Sequence, residues 1–332
     1  MTAFDLTPPA AGTHVPLVLD SPHSGTQYPQ DFAPAVPMDT LRNAEDTFVD
    51  ELYASGPKHG ATLIAARFPR SYIDPNRSLL DIDASLLAAP WPGPAIPSRK
   101  TQLGVGLIWR VLDDGTPIYA RKLTVDEVKR RIVEYHQPYQ RAVKKALDEA
   151  YEHFGGVWHL NLHSMPAVSS AISEEGPGVP RADFVLGDRD GSTCAPEFTE
   201  FVAGTLRGMG YEVRVNDPYK GVELVRAFSD PKAGKHSLQI EVNRRLYMDE
   251  RTRKKTSGFD TLRGNLEKLV QAVAAYASEQ TAHHVHDDHG HHHHHHGHDH
   301  HHGHDHHHDH HHDNDHDHGH VHSHDHDPSH KH

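Results

Sequence analysis

An α/β fold with a mostly parallel central sheet flanked by helices is predicted by three observations. The first is the order of elements near the start of the chain. An apolar run, Val15-Pro16-Leu17-Val18-Leu19, is followed by a helix-like stretch and then by a second apolar run, Ala61–Ala66. Strand, helix, strand makes a βαβ unit, and that crossover sets its two strands parallel. The second is an echo. The first run ends in Pro22-His23-Ser24-Gly25, and a later run, 157–162, ends in His163-Ser164-Met165-Pro166. Functional side chains of an open α/β sheet gather just beyond the carboxyl ends of its strands, where both histidines fall. The third is composition, which separates an ordinary globular body, 1–282, from a tail, 283–332, made almost only of His, Asp and Gly.

Of the 37 histidines, 29 lie in the tail and eight in the body. The tail holds ten Asp and one Lys, so it contributes −9 of the −13 formal charge and leaves the body near −4. A body of that sign has no basic footprint for nucleic acid. Its length suffices for a full core as one α/β domain, or as two closely joined ones. The single Cys194 excludes a disulfide framework and a thiolate zinc cluster within the chain. With no basic-then-apolar leader and no run of membrane-span length, a cytoplasmic protein without membrane partners is expected. The tail has too little apolar surface to offset its chain entropy, so disorder is expected there. Dense imidazole is a ligand field for transition-metal ions, and the Asp and Gly interruptions set the segment apart from a purification tag.

Taken in order, the βαβ unit opens with the 15–19 strand. A Pro-rich loop (Pro29, Pro34, Pro37) leads to an amphipathic helix over Met38–Ser55, with Phe48, Leu52 and Tyr53 at helical spacing and Gly60 ending the unit. After the second strand, Arg67–Arg77 mixes arginines with Asp74 and Asn76. Residues 79–120, rich in Pro and Gly, read as a long functional excursion over one face. Thr124 to Glu127 is a capping box that opens a helix to Phe154, closed by Gly155 and kinked or split by Pro138. Strands follow at 157–162, 184–186, 211–215 and 237–241. Helices are expected at 195–207 and 259–278.

Catalytic zinc takes three protein ligands from His and Asp or Glu and keeps one position for water. His23 and His163 supply two. The acidic turn Glu45-Asp46 is the best placed source of the third, with Asp46 sharing a helix face with Asp50. Glu241 ends an apolar strand, where a carboxylate is costly unless paired, metal-bound or catalytic. It is the candidate general base, against the alternative of a structural ion pair with Arg244 or Arg245. Arg70, Arg77 and Arg226, with Asn76, are candidates for gripping a substrate carboxylate, because a guanidinium forks onto one. His236 precedes the Glu241 strand and, with Ser24, is placed as site support. His159 reads as a satisfied core histidine, and His14, His59 and His153 as surface residues.

These residues together resemble the N-formylglutamate amidohydrolase (formylglutamate deformylase) family. The resemblance covers most of 15–252 and runs through Pro22–Gly25, Tyr28-Pro29, Asp46, Leu52-Tyr53 and Arg70–Arg77. It continues in His163-Ser164, Asn216, Lys220-Gly221 and Gln239–Glu241 through Tyr247–Glu250. That family is similar to the zinc-dependent exopeptidases. The resemblance implies an amidohydrolase domain over 1–282, with zinc or another divalent transition metal held by His23, Asp46 and His163, and Glu241 as base. The implied reaction is hydrolysis of an N-formyl or other short N-acyl amino acid, N-formyl-L-glutamate above all. Two departures stand out. Met165-Pro166 follows the second His-Ser where the family's deformylases often carry Arg, which bears on glutamate selectivity. Gln140 stands where the family has His. Competing expectations are a metal-buffering protein working through its tail, and a serine hydrolase using Ser24 or Ser164. Neither serine lies in a Gly-x-Ser-x-Gly elbow.

Overall fold

The computed structural model describes residues 2–287. Within them the chain runs β1 (Phe4–Thr7), β2 (Leu17–Ser21), α1 (Met38–Leu41), α2 (Val49–Leu52), β3 (Thr62–Ala66), α3 (Arg99–Gln102), α4 (Val125–Arg131) and α5 (Gln137–Phe154). It continues with β4 (Val157–Met165), β5 (Phe184–Gly187), α6 (Pro196–Gly208), β6 (Val213–Val215), α7 (Glu223–Ala227), β7 (Lys235–Asn243), β8 (Met248–Asp249), β9 (Lys254–Lys255) and α8 (Gly258–Asp287). Seven strands form one sheet in the order β1-β3-β2-β4-β7-β5-β6. β1 pairs antiparallel with β3 and β5 with β7, and the other neighbours are parallel. The mostly parallel sheet flanked by helices is as expected. Among the described residues no helix is long and apolar enough to cross a membrane.

Alternation along the three central strands gives the sheet two unlike sides. Leu17 and Leu19 of β2, Trp158, Leu160 and Leu162 of β4, and Leu238, Ile240 and Val242 of β7 share one apolar core with residues of α6 and α8. Side chains of a strand alternate in direction, so the residues between them face the other way. On that other side Val18 and Val157 join a second core with α4, α5 and the 79–120 excursion. The other positions there include Asp20, His159, Asn161, His163, Ser237, Gln239 and Glu241, all buried. β4 is buried along all nine residues.

Several local expectations differ from what forms. The helix over Met38–Ser55 is broken. α1 passes through a tight turn at Arg42–Ala44 into extended Glu45, and Phe48 takes a left-handed φ of 66° before α2 begins. A bulky residue in that region is strained, and here the backbone is over-determined by the Asp46 N–H bond to the His23 carbonyl, 3.0 Å. Asp46 and Asp50 therefore do not share a helix face. The capping box forms, with Thr124 Oγ1 accepting from the Glu127 N–H at 3.1 Å and Glu127 Oε2 from the Thr124 N–H at 2.8 Å. The break expected at Pro138 takes the form of a wide π-type turn over Ile132–His136, which leaves the proline near the start of α5 where its missing N–H is least felt. β4 and β7 extend beyond their expected bounds, and β1, α7 and the β8–β9 hairpin (antiparallel) were not anticipated. α8 runs to Asp287 rather than stopping at 278, with Leu262, Leu266, Leu269, Val273 and Ala277 on its inner, apolar face. The metal-binding tail expected over 283–332 lies, from 288 on, outside the described residues.

Gly60 ends the first crossover with φ of 88°, and a Cβ there would meet the Thr13 carbonyl at 1.9 Å. Gly25 is required for a different reason. The turn after His23 lies against the β3 exit, where a Cβ would meet the Phe68 carbonyl at 2.3 Å. That close approach holds His23 against the Arg67–Arg77 segment.

Candidate metal centre and cleft

His23 follows β2, His163 lies near the end of β4, and Asp46 occupies the broken turn between α1 and α2. All three are buried, and one ligand atom of each lies within 4.8 Å of the others. His23 Nδ1 is 3.3 Å from Asp46 Oδ2, and His163 Nδ1 is 3.2 Å from the same oxygen. The opposite nitrogens are held from behind. His23 Nε2 donates to Asp74 Oδ1 at 2.7 Å, and His163 Nε2 lies 2.7 Å from Asn161 Oδ1. Metal-bound histidines characteristically give their second nitrogen to a carboxylate or carbonyl in this way. His23 Nδ1 is buried without a hydrogen-bond partner. Two imidazole nitrogens and a carboxylate converging from three segments form a donor set that fits a divalent transition metal.

Charge in the site is arranged by burial and by arginines. Burial alone would raise the Asp46 carboxyl, but Arg70 and the imidazoles of His163 and His23 beside it hold it well below the usual carboxylate range. Asp74 is likewise raised by burial and then pulled well below that range, by Arg77, His23 and Arg70. Glu241 goes the other way. Burial raises it and Asp46 adds to the rise, while His163, Arg70 and Arg181 only partly oppose it. In register, Glu241 of β7 stands opposite His163 of β4. Its carboxylate accepts from Gln239 Nε2 at 2.9 Å. A cleft of about 910 Å³ opens over this floor, lined among others by Asp46, Arg70, His163 and Glu241.

The structure brings most of the expected residues together and separates a few. Asp46, not Glu45, enters the centre. The Glu45 carboxylate accepts from the Tyr28 hydroxyl at 2.8 Å and from Arg42 at 3.0 Å. Arg70 sits beside the His23, Asp46 and His163 cluster, 3.4 Å from both Asp46 and Asp74, with its guanidinium 4.7 Å over the Trp109 ring. Asn76 places Nδ2 3.2 Å from His163 Nε2 and accepts the Leu224 N–H at 2.9 Å. Arg77 lines the cleft, but its Nε and one terminal nitrogen donate to the Val105 and Asn76 carbonyls, both at 2.9 Å. Arg226 lines the cleft with its fork already on Glu223, at 2.8 and 3.0 Å. Ser24 accepts from the Ser21 hydroxyl at 2.9 Å and does not line the cleft. His236 is not in the site. It lies five positions before Glu241 on the same strand, about 16 Å away at ~3.3 Å per residue. There it stacks on Trp158 and accepts the Ala195 N–H at 3.2 Å. Neither Arg244 nor Arg245 pairs with Glu241. Arg244 binds Asp46 at 3.0 Å and Ser164 Oγ at 3.1 Å, and Arg245 binds Asp183 at 2.7 Å.

Residues that sequence reasoning did not single out complete the site. Asp74 is one; its signal was a carboxylate between two arginines in the segment after β3. Asp20 is another, an acid set inside an apolar strand. Asp20 accepts from Asn161 Nδ2 at 2.7 Å, from His159 Nε2 at 2.8 Å and from the Tyr139 hydroxyl at 2.7 Å. His159 Nδ1 in turn lies 2.7 Å from Ser237 Oγ. His159 is thus the satisfied core histidine expected. Ser237, His159 and Asp20 line up as a serine-hydrolase triad would, yet all three are completely buried and none lines the cleft. Ser164, the serine nearest a cleft histidine in sequence, accepts from Arg244 instead.

Comparison with known proteins bears on the family and the fold. The model of a family described as N-formylglutamate amidohydrolase matches residues 15–248. An N-formylglutamate deformylase of Pseudomonas putida is 28% identical over 274 residues, which cover 80% of this chain and 95% of that protein. The crystal structure of an N-formylglutamate amidohydrolase from Ralstonia eutropha JMP134 is 51% identical, with a TM-score of 0.80 over 84% of this chain and 100% of that one. A gene product of Agrobacterium tumefaciens at 18% identity shares the fold, with a TM-score of 0.60 over 83% of this chain and 96% of its own.

Proposed function

The chain belongs to the N-formylglutamate amidohydrolase family, and on that premise we propose that it hydrolyses N-formyl-L-glutamate to formate and L-glutamate with zinc held by His23, Asp46 and His163. The observation that carries this reading is the convergence of those three side chains, with Asp46 and His163 lining a cleft and Glu241 on the adjacent strand in register with His163. Zinc, when bound, supplies Lewis acidity at the amide carbonyl and acidifies the attacking water.

The chain's own residues do the rest. Glu241 takes the proton from the water and delivers it to the amide nitrogen, so that the C–N bond breaks with glutamate leaving as a neutral amine. Its raised affinity for a proton, caused by burial, suits a group that must hold that proton between the two atoms. Asp74 and Asn161 hold the histidine rings in place. Arg70, beside Asp46, is placed for the substrate carboxylate nearest the scissile bond, and Asn76 offers an amide N–H to the same region. Arg77 and Arg226 shape the wall of the cleft beyond.

The test is release of formate from N-formyl-L-glutamate by the full chain, before chelation, after chelation and after zinc is restored. About one zinc per chain at the body site and activity that follows its occupancy are expected. Formate release untouched by complete chelation would overturn the metal assignment, and no release by the zinc-loaded protein would overturn the substrate. The histidines of 283–332 support a further reading, in which the tail binds several transition-metal ions weakly and heterogeneously. Equilibrium dialysis of the full chain against a chain ending at Asp287 should show that excess, released as pH falls through about 6.5. Equal metal uptake by the two would remove the tail from metal chemistry.

A further inference from the structure

On the reading that N-formyl-L-glutamate is the substrate, the cleft must receive two carboxylates. The carboxylate on the carbon next to the amide nitrogen stays beside the reacting bond, within the province of Arg70. The side-chain carboxylate lies farther out and needs a cation of its own. Most arginines of the cleft are already engaged. Arg77 and Arg244 are held by Asp74 and Asp46, Arg181 by Glu175 and Arg226 by Glu223.

Lys100 differs. It lines the cleft, is partly buried, and its amine makes no hydrogen bond or ion pair among the described residues. The short helix that bears it, α3, is fastened down. Asp81 Oδ1 accepts from the Ser98 N–H at 2.8 Å and from Thr101 Oγ1 at 3.0 Å, and the Asp81 carbonyl accepts the Leu107 N–H at 3.0 Å. Gly106 lets the chain press against that helix, since a Cβ there would meet Thr101 Oγ1 at 2.6 Å. A pinned backbone with a free amine is how a protein presents a cation to a ligand rather than to itself. The amine also sits among like charges. Burial lowers its hold on its proton, and Arg77 and Arg70 lower it further, with Glu174 and Asp113 compensating only in part. An anion arriving there relieves that imbalance.

We propose that Lys100 is a specificity-determining residue that binds the side-chain carboxylate of the substrate. The quantity to measure is the ratio of kcat/KM for N-formyl-L-glutamate to that for N-formyl-L-glutamine, which is nearly isosteric but neutral. It is measured in the zinc-loaded full chain, wild type, Lys100→Met and Lys100→Arg, with melting temperatures as the check on folding. A charge-assisted hydrogen bond is worth about tenfold to a hundredfold. The ratio should fall by about that factor in Lys100→Met, mainly through KM, and be largely kept in Lys100→Arg. A ratio unchanged in Lys100→Met overturns the proposal, whether both substrates weaken together or neither does. Wild-type protein that cleaves neither compound, or prefers the glutamine derivative, fails at the earlier step. That failure of the substrate reading is visible before any variant is compared.

Discussion

Replacing Glu241 by Gln keeps the shape of the side chain and removes its charge, so it separates three roles that one residue can combine. As general base, Glu241 contributes about 10²- to 10⁴-fold to turnover, which is ~2.7–5.4 kcal/mol of barrier at 1.36 kcal/mol per tenfold. As a ligand it would be needed for zinc retention, but His23, Asp46 and His163 already supply three donors. As a buried acid it carries a cost. The side chain is 8% exposed and accepts one hydrogen bond, from Gln239. Burial raises its pKa, so in the metal-free fold the ionised form is disfavoured relative to the unfolded chain. Above the unfolded carboxyl value of about 4.3 the glutamate therefore destabilises the fold, and below it both forms are neutral and the penalty vanishes. In chelated protein Glu241→Gln should be more stable at pH 7 by about 1 kcal/mol, a rise of ~2–4 °C in Tm for a domain of this size. The gain should shrink towards pH 4. The assay is formate release and metal content of the zinc-loaded variant, with Tm of the chelated form at both pH values. Near-wild-type turnover would refute the base, loss of zinc would make Glu241 a ligand, and a lower Tm at pH 7 would refute the cost of burial.

Three other expectations come from local chemistry. Asp74→Asn removes the carboxylate behind His23 and should weaken zinc binding about tenfold to a hundredfold; a chelator competition with unchanged affinity would show that His23 does not depend on it. Burial pushes the Cys194 thiol up to about 12, so the native protein should not react with a disulfide reagent at pH 8 and should yield its one thiol only on denaturation; rapid native labelling would mean that the start of α6 opens. The Glu127 carboxyl is lowered to about 2, first by Arg121 and then, against a burial effect, by the Thr124 N–H. Its stabilising effect is present above the unfolded value and lost as pH falls towards about 2. Because its partner Arg121 is exposed, Glu127→Gln should cost under ~1 kcal/mol at pH 7, with a gap in Tm that narrows by pH 3; a gap that widens on acidification would contradict the capping assignment.

Much of the sheet was legible because its signals are local. Apolar runs ending in a histidine and a turn marked β2 and β4. Asp46 was harder. Its surroundings have helical spacing, and the helix breaks there because the Asp46 N–H is tied to the His23 carbonyl, a contact between segments that no window of sequence displays. His236 was misplaced for a simpler reason. Nearness to Glu241 in sequence becomes distance along an extended strand. Lys100 had no signal at all, since a lysine in a Pro-rich excursion has no period, and its position depends on Asp81 holding α3. Arg244 reaches Asp46 from nearly two hundred residues away, which only the closed fold reveals.

The hydrogen bonds behind His163 determine which of its nitrogens is basic. A carboxylate can only accept, so Asp20 Oδ1, 2.7 Å from Asn161 Nδ2, fixes the direction of that amide. Its oxygen must then face His163 Nε2, also at 2.7 Å, and this nitrogen must carry the proton. The Asn76 amide, at 3.2 Å, makes the opposite demand on the same nitrogen from farther away and yields, which frees its N–H for the cleft. Asp74 imposes the same protonation on His23 through Nε2. Both rings are thereby locked in one tautomer, each with the lone pair of Nδ1 directed towards Asp46. An acid sealed inside the sheet, outside the cleft, thus selects which nitrogen of His163 faces the candidate metal centre from two hydrogen bonds away.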